Sequence, residues 1–159
     1  MDSMKLCLGS GNKPEKGPEW VNVDAESFGN NVVHDLDTFP WPFEDNSFDE
    51  IKAIDVLEHL DNPTEAINEM IRISKPNGKI KIQVPNAAYP EYWGIDPQHR
   101  RGFATLSLDY WERGNGLNRS FGKSHNHGKY FIKNLKVEKS HFVVHEIQAS
   151  NLTFTFEKE

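Results

Sequence analysis

Apolar residues recur first as short runs that end at a glycine turn or an acid. Lys5-Leu6-Cys7-Leu8 enters Gly9-Ser10-Gly11, Trp20 to Asp24 ends in one acid, and Val32 to Asp35 ends in another. Runs of this length, bounded by turn residues, predict buried strands. Residues 12–19 between the first two runs hold Pro14, Gly17 and Pro18, so that connection cannot be a long crossover helix. Phe39-Pro40-Trp41-Pro42-Phe43 reads as a rigid apolar loop, and residues 48–57 hold a fourth strand.

The period then changes. Asn62 suits a helix N-cap, Pro63 the first helical position, and Glu65 the third residue after the cap. Ala66, Ile67, Met70, Ile71 and Ile73 follow on one helical face. Lys75-Pro76-Asn77-Gly78 stops that helix, and Ile80, Ile82 and Val84 alternate as a fifth strand ended by Pro85. Residues 86–102 form a loop rich in aromatics and prolines. The apolar positions Phe103, Leu106, Tyr110 and Trp111 suggest a short helix over 103–112, and residues 113–128 read as a glycine-, asparagine- and histidine-rich loop. Leu152, Phe154 and Phe156 alternate strictly. Late alternating strands after a βα series suggest an antiparallel hairpin on the edge of a mixed sheet.

The 159 residues suit one domain spanning 1–159. A net charge of −6 argues against a general nucleic-acid binder. No apolar run approaches the roughly 20 residues of a membrane span, and the first residues carry no signal-peptide pattern. Cys7 is the single cysteine, which rules out an internal disulfide and fits a cytoplasmic location. Its place inside an apolar run reads as a small core residue.

Acids at strand ends beside a glycine turn make a site for a nucleoside with free ribose hydroxyls. Gly9-Ser10-Gly11 is followed by Asn12, Lys13 and Pro14, so a dinucleotide fingerprint lacks its third glycine and its helix, and no Walker loop is present. A turn that does not cradle phosphate fits S-adenosylmethionine, which carries none. The chain resembles class I S-adenosylmethionine-dependent methyltransferases, in particular the methyltransferase type 11 group. The resemblance is carried by Leu8-Gly9-Ser10-Gly11, Val23-Asp24, Asp35-Leu36, the stretch Phe43 to Asp49, Val56-Leu57-Glu58-His59-Leu60, and Ile73 to Ile80.

That resemblance implies a three-layer α/β Rossmann-like fold, with a mostly parallel sheet and an antiparallel C-terminal hairpin. Residues 5–86 would hold the cofactor and 87–159 the substrate and its cover. Leu8, Gly9, Ser10 and Gly11 would pass under the methionine and ribose, Asp24 would accept from the ribose hydroxyls, and Asp35 and Leu36 would flank the adenine. Asp55 would line the methyl end, and Asp49 reads as a turn or cap residue. Two positions depart from the family pattern. Cys7 stands where an acid often helps to hold the methionine amine, and Lys13 replaces the third glycine.

Methyl transfer needs alignment above all, and a base only where the acceptor must lose a proton. His59, at the carboxyl end of the fourth strand, and His99, in Asp96-Pro97-Gln98-His99-Arg100-Arg101, are the candidate bases. The alternative for His59 is a packing histidine, and Glu58 beside it reads as solvated or structural. Tyr89, Tyr92 and Trp93 are candidates for an aromatic wall, and Arg100 and Arg101 for an anionic substrate group. His125 and His127 make a poor metal site, so no metal is expected. The expected activity is methyl transfer to oxygen or nitrogen of a small-molecule or sugar-like acceptor. The alternative is a methyltransferase-like interaction domain completed by a second copy or a partner subunit.

Overall fold

A computed structural model describes residues 3–29, 31–112 and 130–159. Its strands are β1 (Lys5–Leu8), β2 (Trp20–Asp24), β3 (Val32–Val33), β4 (Phe48–Ile54), β5 (Ser74–Pro85), β6 (Ile132–Val144) and β7 (Ile147–Lys158). Helix α1 (Pro63–Ile73) joins β4 to β5, and a short α2 (Pro90–Trp93) follows β5. The strands form one sheet in the order β3-β2-β1-β4-β5-β7-β6. The first five are parallel, and β7 runs antiparallel to both β5 and β6. The expected hairpin is therefore present.

Register explains which face is buried. Leu6, Leu8, Ile51, Ala53, Ile80, Ile82, Phe154 and Phe156 pair in rows across four strands. All are buried, in one cluster with Ile67, Met70 and Ile71 of α1. Each leucine, isoleucine, methionine or phenylalanine so withdrawn from water contributes about 1.5–3 kcal/mol. The helix begins as its sequence predicts, with Asn62 Oδ1 accepting from Glu65 N at 3.3 Å.

Two of the three expected layers are present among the described residues: the sheet, and α1 with the loops beside it. The opposite face of the sheet is polar. Lys5, Glu50, Lys79, Glu157 and Lys133 are consecutive cross-strand partners of alternating charge, an arrangement that stabilises neighbouring strands. Part of this face is crossed by the 12–19 loop, which the prolines keep from being a helix. The Asn22 side chain holds that loop through Glu15 N at 2.9 Å and Glu15 O at 3.0 Å, and Lys52 meets Glu15 Oε1 at 3.0 Å. Cys7 stands on this polar side, between Asn22 and Lys52 in register, rather than in the core where an apolar run suggested it. Burial pushes its thiol up, and Glu15 adds to the effect.

Two further details differ from the sequence reading. The third strand is only Val32–Val33. Residues 103–112 form successive turns instead of a helix. The backbone bonds there join residues three apart, Ser107 N to Ala104 O at 3.0 Å, Asp109 N to Leu106 O at 3.2 Å and Trp111 N to Leu108 O at 3.1 Å. Phe103, Leu108 and Trp111 are buried there while Leu106 is 57% exposed. The expected loop over 113–128, with His125 and His127, lies outside the described residues. No described helix is long and apolar enough to cross a membrane.

A cleft at the carboxyl ends of the parallel strands

Gly9, Asp24, Asp35, Leu36, Asp55 and His59 line one cleft of about 400 Å³, together with Ala25, Val56, Leu60 and Gln98. Six residues singled out in the sequence thus meet at the ends of β1, β2, β3 and β4. Parallel strands aim their carboxyl ends the same way, so residues far apart in the chain converge there.

The glycine turn sits against the β4 end. Gly9 has φ +61° and Gly11 φ +53°, a region that side chains with a Cβ enter at a cost. A Cβ on Gly9 would overlap Val56 Cγ2, while one on Gly11 would meet nothing. Ser10 N donates to Val23 O at 3.0 Å, and the buried Ser10 hydroxyl has no partner among the described residues. Asp24 closes the turn: Oδ2 accepts from Gly11 N at 2.8 Å and Oδ1 from Glu26 N at 3.1 Å. Each carboxylate oxygen keeps a further lone pair.

The opposite wall is held by α1. Arg72 grips both oxygens of Glu69 at 2.7 Å and donates to Phe43 O at 2.9 Å and Trp41 O at 3.2 Å. Trp41 N donates to Glu69 Oε2 at 2.7 Å, and its indole donates to Leu36 O at 3.1 Å. Asp37 accepts from Asp61 N and Asn62 N at 2.9 and 3.0 Å. The aromatic loop therefore fixes Asp35 and Leu36 against the helix start. Asp55 has φ +54°, and its amide donates to Gln83 O at 2.9 Å. Asp49 is structural, accepting from Met4 N at 2.8 Å and Lys75 at 2.7 Å.

Beside the cleft the two candidate histidines meet. The rings of His59 and His99 lie 4.8 Å apart in an edge arrangement. His99 Nδ1 lies 2.7 Å from Trp93 O. A carbonyl only accepts, so Nδ1 carries a proton and Nε2 is the nitrogen left to face the acids. That nitrogen is 4.0 Å from Glu58 Oε1 and 3.9 Å from Asp96 Oδ2. Glu58 is completely buried, contrary to the solvated reading, and neither carboxylate oxygen has a partner among the described residues. Burial above all, with the charges of Asp55 and Asp96, pushes its carboxyl up to about 7. Its sequence signal is weak, because an acid before a histidine at a turn is ordinarily exposed.

The other candidates are placed less directly. Tyr89 and Tyr92 pack edge-on against His141 and Phe142 of β6, at 5.9 and 5.2 Å. Trp93 stands 6.1 Å from the His99 ring. Arg100 pairs with Asp61 through its guanidinium, and Arg101 donates to Asp61 O at 2.8 Å. Neither arginine lines the cleft.

Residues 15–82 match the family model described as "Methyltransferase domain". A SAM-dependent methyltransferase structure from Archaeoglobus fulgidus superposes with a TM-score of 0.71 and 18% identity, covering 98% of this chain and 86% of that one. An uncharacterized protein of Methanocaldococcus jannaschii is 49% identical over 56 residues, 35% of this chain and 22% of that protein. The mitochondrial ubiquinone biosynthesis O-methyltransferase of Dictyostelium discoideum is 38% identical over 48 residues, 30% of this chain and 15% of that enzyme. The aligned stretches thus span under a quarter of these two curated relatives. The sheet order and the superposition give the chain the fold of S-adenosylmethionine-dependent methyltransferase structures, and residues 15–82 are similar to a methyltransferase domain.

Proposed function

We propose that this chain binds S-adenosylmethionine and transfers its methyl group to an oxygen or nitrogen of a small-molecule or sugar-like acceptor in the cytoplasm. The observation that carries this reading is the single cleft shared by Gly9, Asp24, Asp35, Leu36, Asp55 and His59. S-adenosylmethionine supplies an electrophilic methyl group on a sulfonium. Gly9 gives close backbone approach beneath it. Leu8 and Ser10 place the turn, and Gly11 orients Asp24 toward two hydroxyl donors. Asp35 and Leu36 form the end for a flat base, and Asp55 supplies negative charge at the methyl end. Residues 5–86 hold the cofactor, and residues 87–159 shape the acceptor side. The acceptor enters beside His59, His99 and Glu58, where its proton is lost. The stretch shared with an O-methyltransferase supports an oxygen acceptor.

Calorimetric titration with S-adenosylmethionine and S-adenosylhomocysteine tests the reading. Saturable micromolar binding is expected; no binding would leave an interaction domain completed by another subunit. Asp24→Ala is expected to weaken binding by about 1.5–3 kcal/mol, because charge-assisted bonds to the ribose are lost. An unchanged affinity would remove Asp24 from that role. His59→Ala is expected to lower turnover by about 10²–10⁴ while cofactor affinity holds. Equal turnover in the variant would take His59 out of the chemistry.

A further inference from the structure

Glu58, His59 and His99 each bring one donor atom to within 4.8 Å of the others. Two segments supply them: the turn after β4 and the loop after α2. Arg100 N ties the second segment to the first by donating to Glu58 O at 2.8 Å. The expectation of no metal considered His125 and His127, which are neighbours in sequence. Glu58 and His59 are consecutive in the chain, and His99 joins them only in the fold.

The cluster has the composition and support of a ligand set. Glu58 is completely buried, neither of its oxygens has a hydrogen-bond partner among the described residues, and His99 Nε2 stands 4.0 Å from Oε1. A buried carboxylate without a partner is costly, and pairing or metal coordination offsets that cost. A leucine or a glutamine would fill the same space without it. The imidazole of His99 faces Glu58 at 4.0 Å, and the acids Asp55 and Asp96 stand near enough to add their charge. The Trp93 carbonyl holds the Nδ1 proton of His99 and turns Nε2 toward Glu58. A backbone carbonyl that fixes the tautomer in this way is the usual support of a metal-bound histidine.

We propose that Glu58, His59 and His99 bind a divalent first-row cation, of the kind of Mn²⁺ or Zn²⁺, beside the cleft. Two imidazoles and one carboxylate suit such ions and leave coordination positions open. Ligand bonds of about 2.0–2.2 Å bring the donors to about 3.4 Å from each other in a tetrahedral array. Side-chain torsions of Glu58 and His59 close the remaining gap. Asp96, 3.9 Å from His99 Nε2, adds negative charge. Resting on the methyl-transfer reading, the open position takes the acceptor oxygen and lowers its pKa, so the hydroxyl proton passes to solvent. The cation site itself does not depend on that reading.

The test uses the full, tag-free chain, stripped with EDTA and dialysed against Mn²⁺ or Zn²⁺, with bound metal measured by atomic absorption. Co²⁺ then reports ligation through its visible absorption. One cation per chain is expected, with affinity lowered at least about tenfold in His99→Ala and in Glu58→Gln. Circular dichroism checks that each variant folds, and His99→Ala carries the test if Glu58→Gln does not. Substoichiometric binding, or binding that His99→Ala leaves unchanged, overturns the proposal and leaves a proton-sharing cluster. S-adenosylhomocysteine titration of the same samples keeps the two readings apart. Metal binding without cofactor binding sinks methyl transfer and leaves the cation site standing.

Discussion

Gly9→Ala is expected to cost about 2–5 kcal/mol of folding stability and to remove measurable cofactor binding. Two causes add. The left-handed backbone at φ +61° costs an L-residue roughly 1–2 kcal/mol. The new methyl also overlaps Val56 Cγ2, and forcing it in costs about 1–3 kcal/mol more. Val56 has little room to yield, because the preceding amide of Asp55 is held by Gln83 O at 2.9 Å. Gly11→Ala is the control. It shares the strained backbone but its Cβ meets nothing, so it should lose only about 1–2 kcal/mol. Thermal unfolding and titration with S-adenosylhomocysteine compare the two. Equal losses would mean that the packing of the turn on β4 is not what demands glycine at position 9.

The second large effect is the pH dependence written into Glu58. Its folded carboxyl is raised to about 7, above the roughly 4.3 of an unfolded glutamate. Between those values the folded chain holds a proton that the unfolded chain has released. Stability therefore falls as pH rises from about 4.3 to about 7, and levels off above. Each unit corresponds to about 1.36 kcal/mol, so the loss is on the order of 4 kcal/mol. Glu58→Gln should remove this slope and be the more stable protein at pH 8 in EDTA. Urea unfolding of both proteins from pH 4.5 to 8 measures it. Parallel curves would mean that Glu58 is solvated in solution.

Much of the cofactor side was legible along the chain. A glycine turn after one apolar run and acids after the next two are local signals, and parallel strands carry those ends to a common edge. The N-cap at Asn62 and the alternation of Leu152, Phe154 and Phe156 were legible for the same reason, since period and capping depend on neighbours in sequence. The turns of 103–112 were not, because the apolar spacing that marks a helical face is shared by a run of turns whose backbone bonds join residues three apart. Cys7 was misplaced because an apolar run does not tell which face of a sheet is covered. That depended on the 12–19 loop standing where a crossover helix would pack.

The succession of apolar runs and acids along the chain and the start of α1 each rest on residues a few positions apart, so both are legible before the fold is known. The charged ladder across one face of the sheet emerges only when the strands pair in register. The fold alone buried Glu58 between two histidines and turned Arg100 to Asp61. Burial and the facing of side chains are set by what the fold brings alongside, and residues such as Glu58 and His99 become neighbours only when distant segments pack.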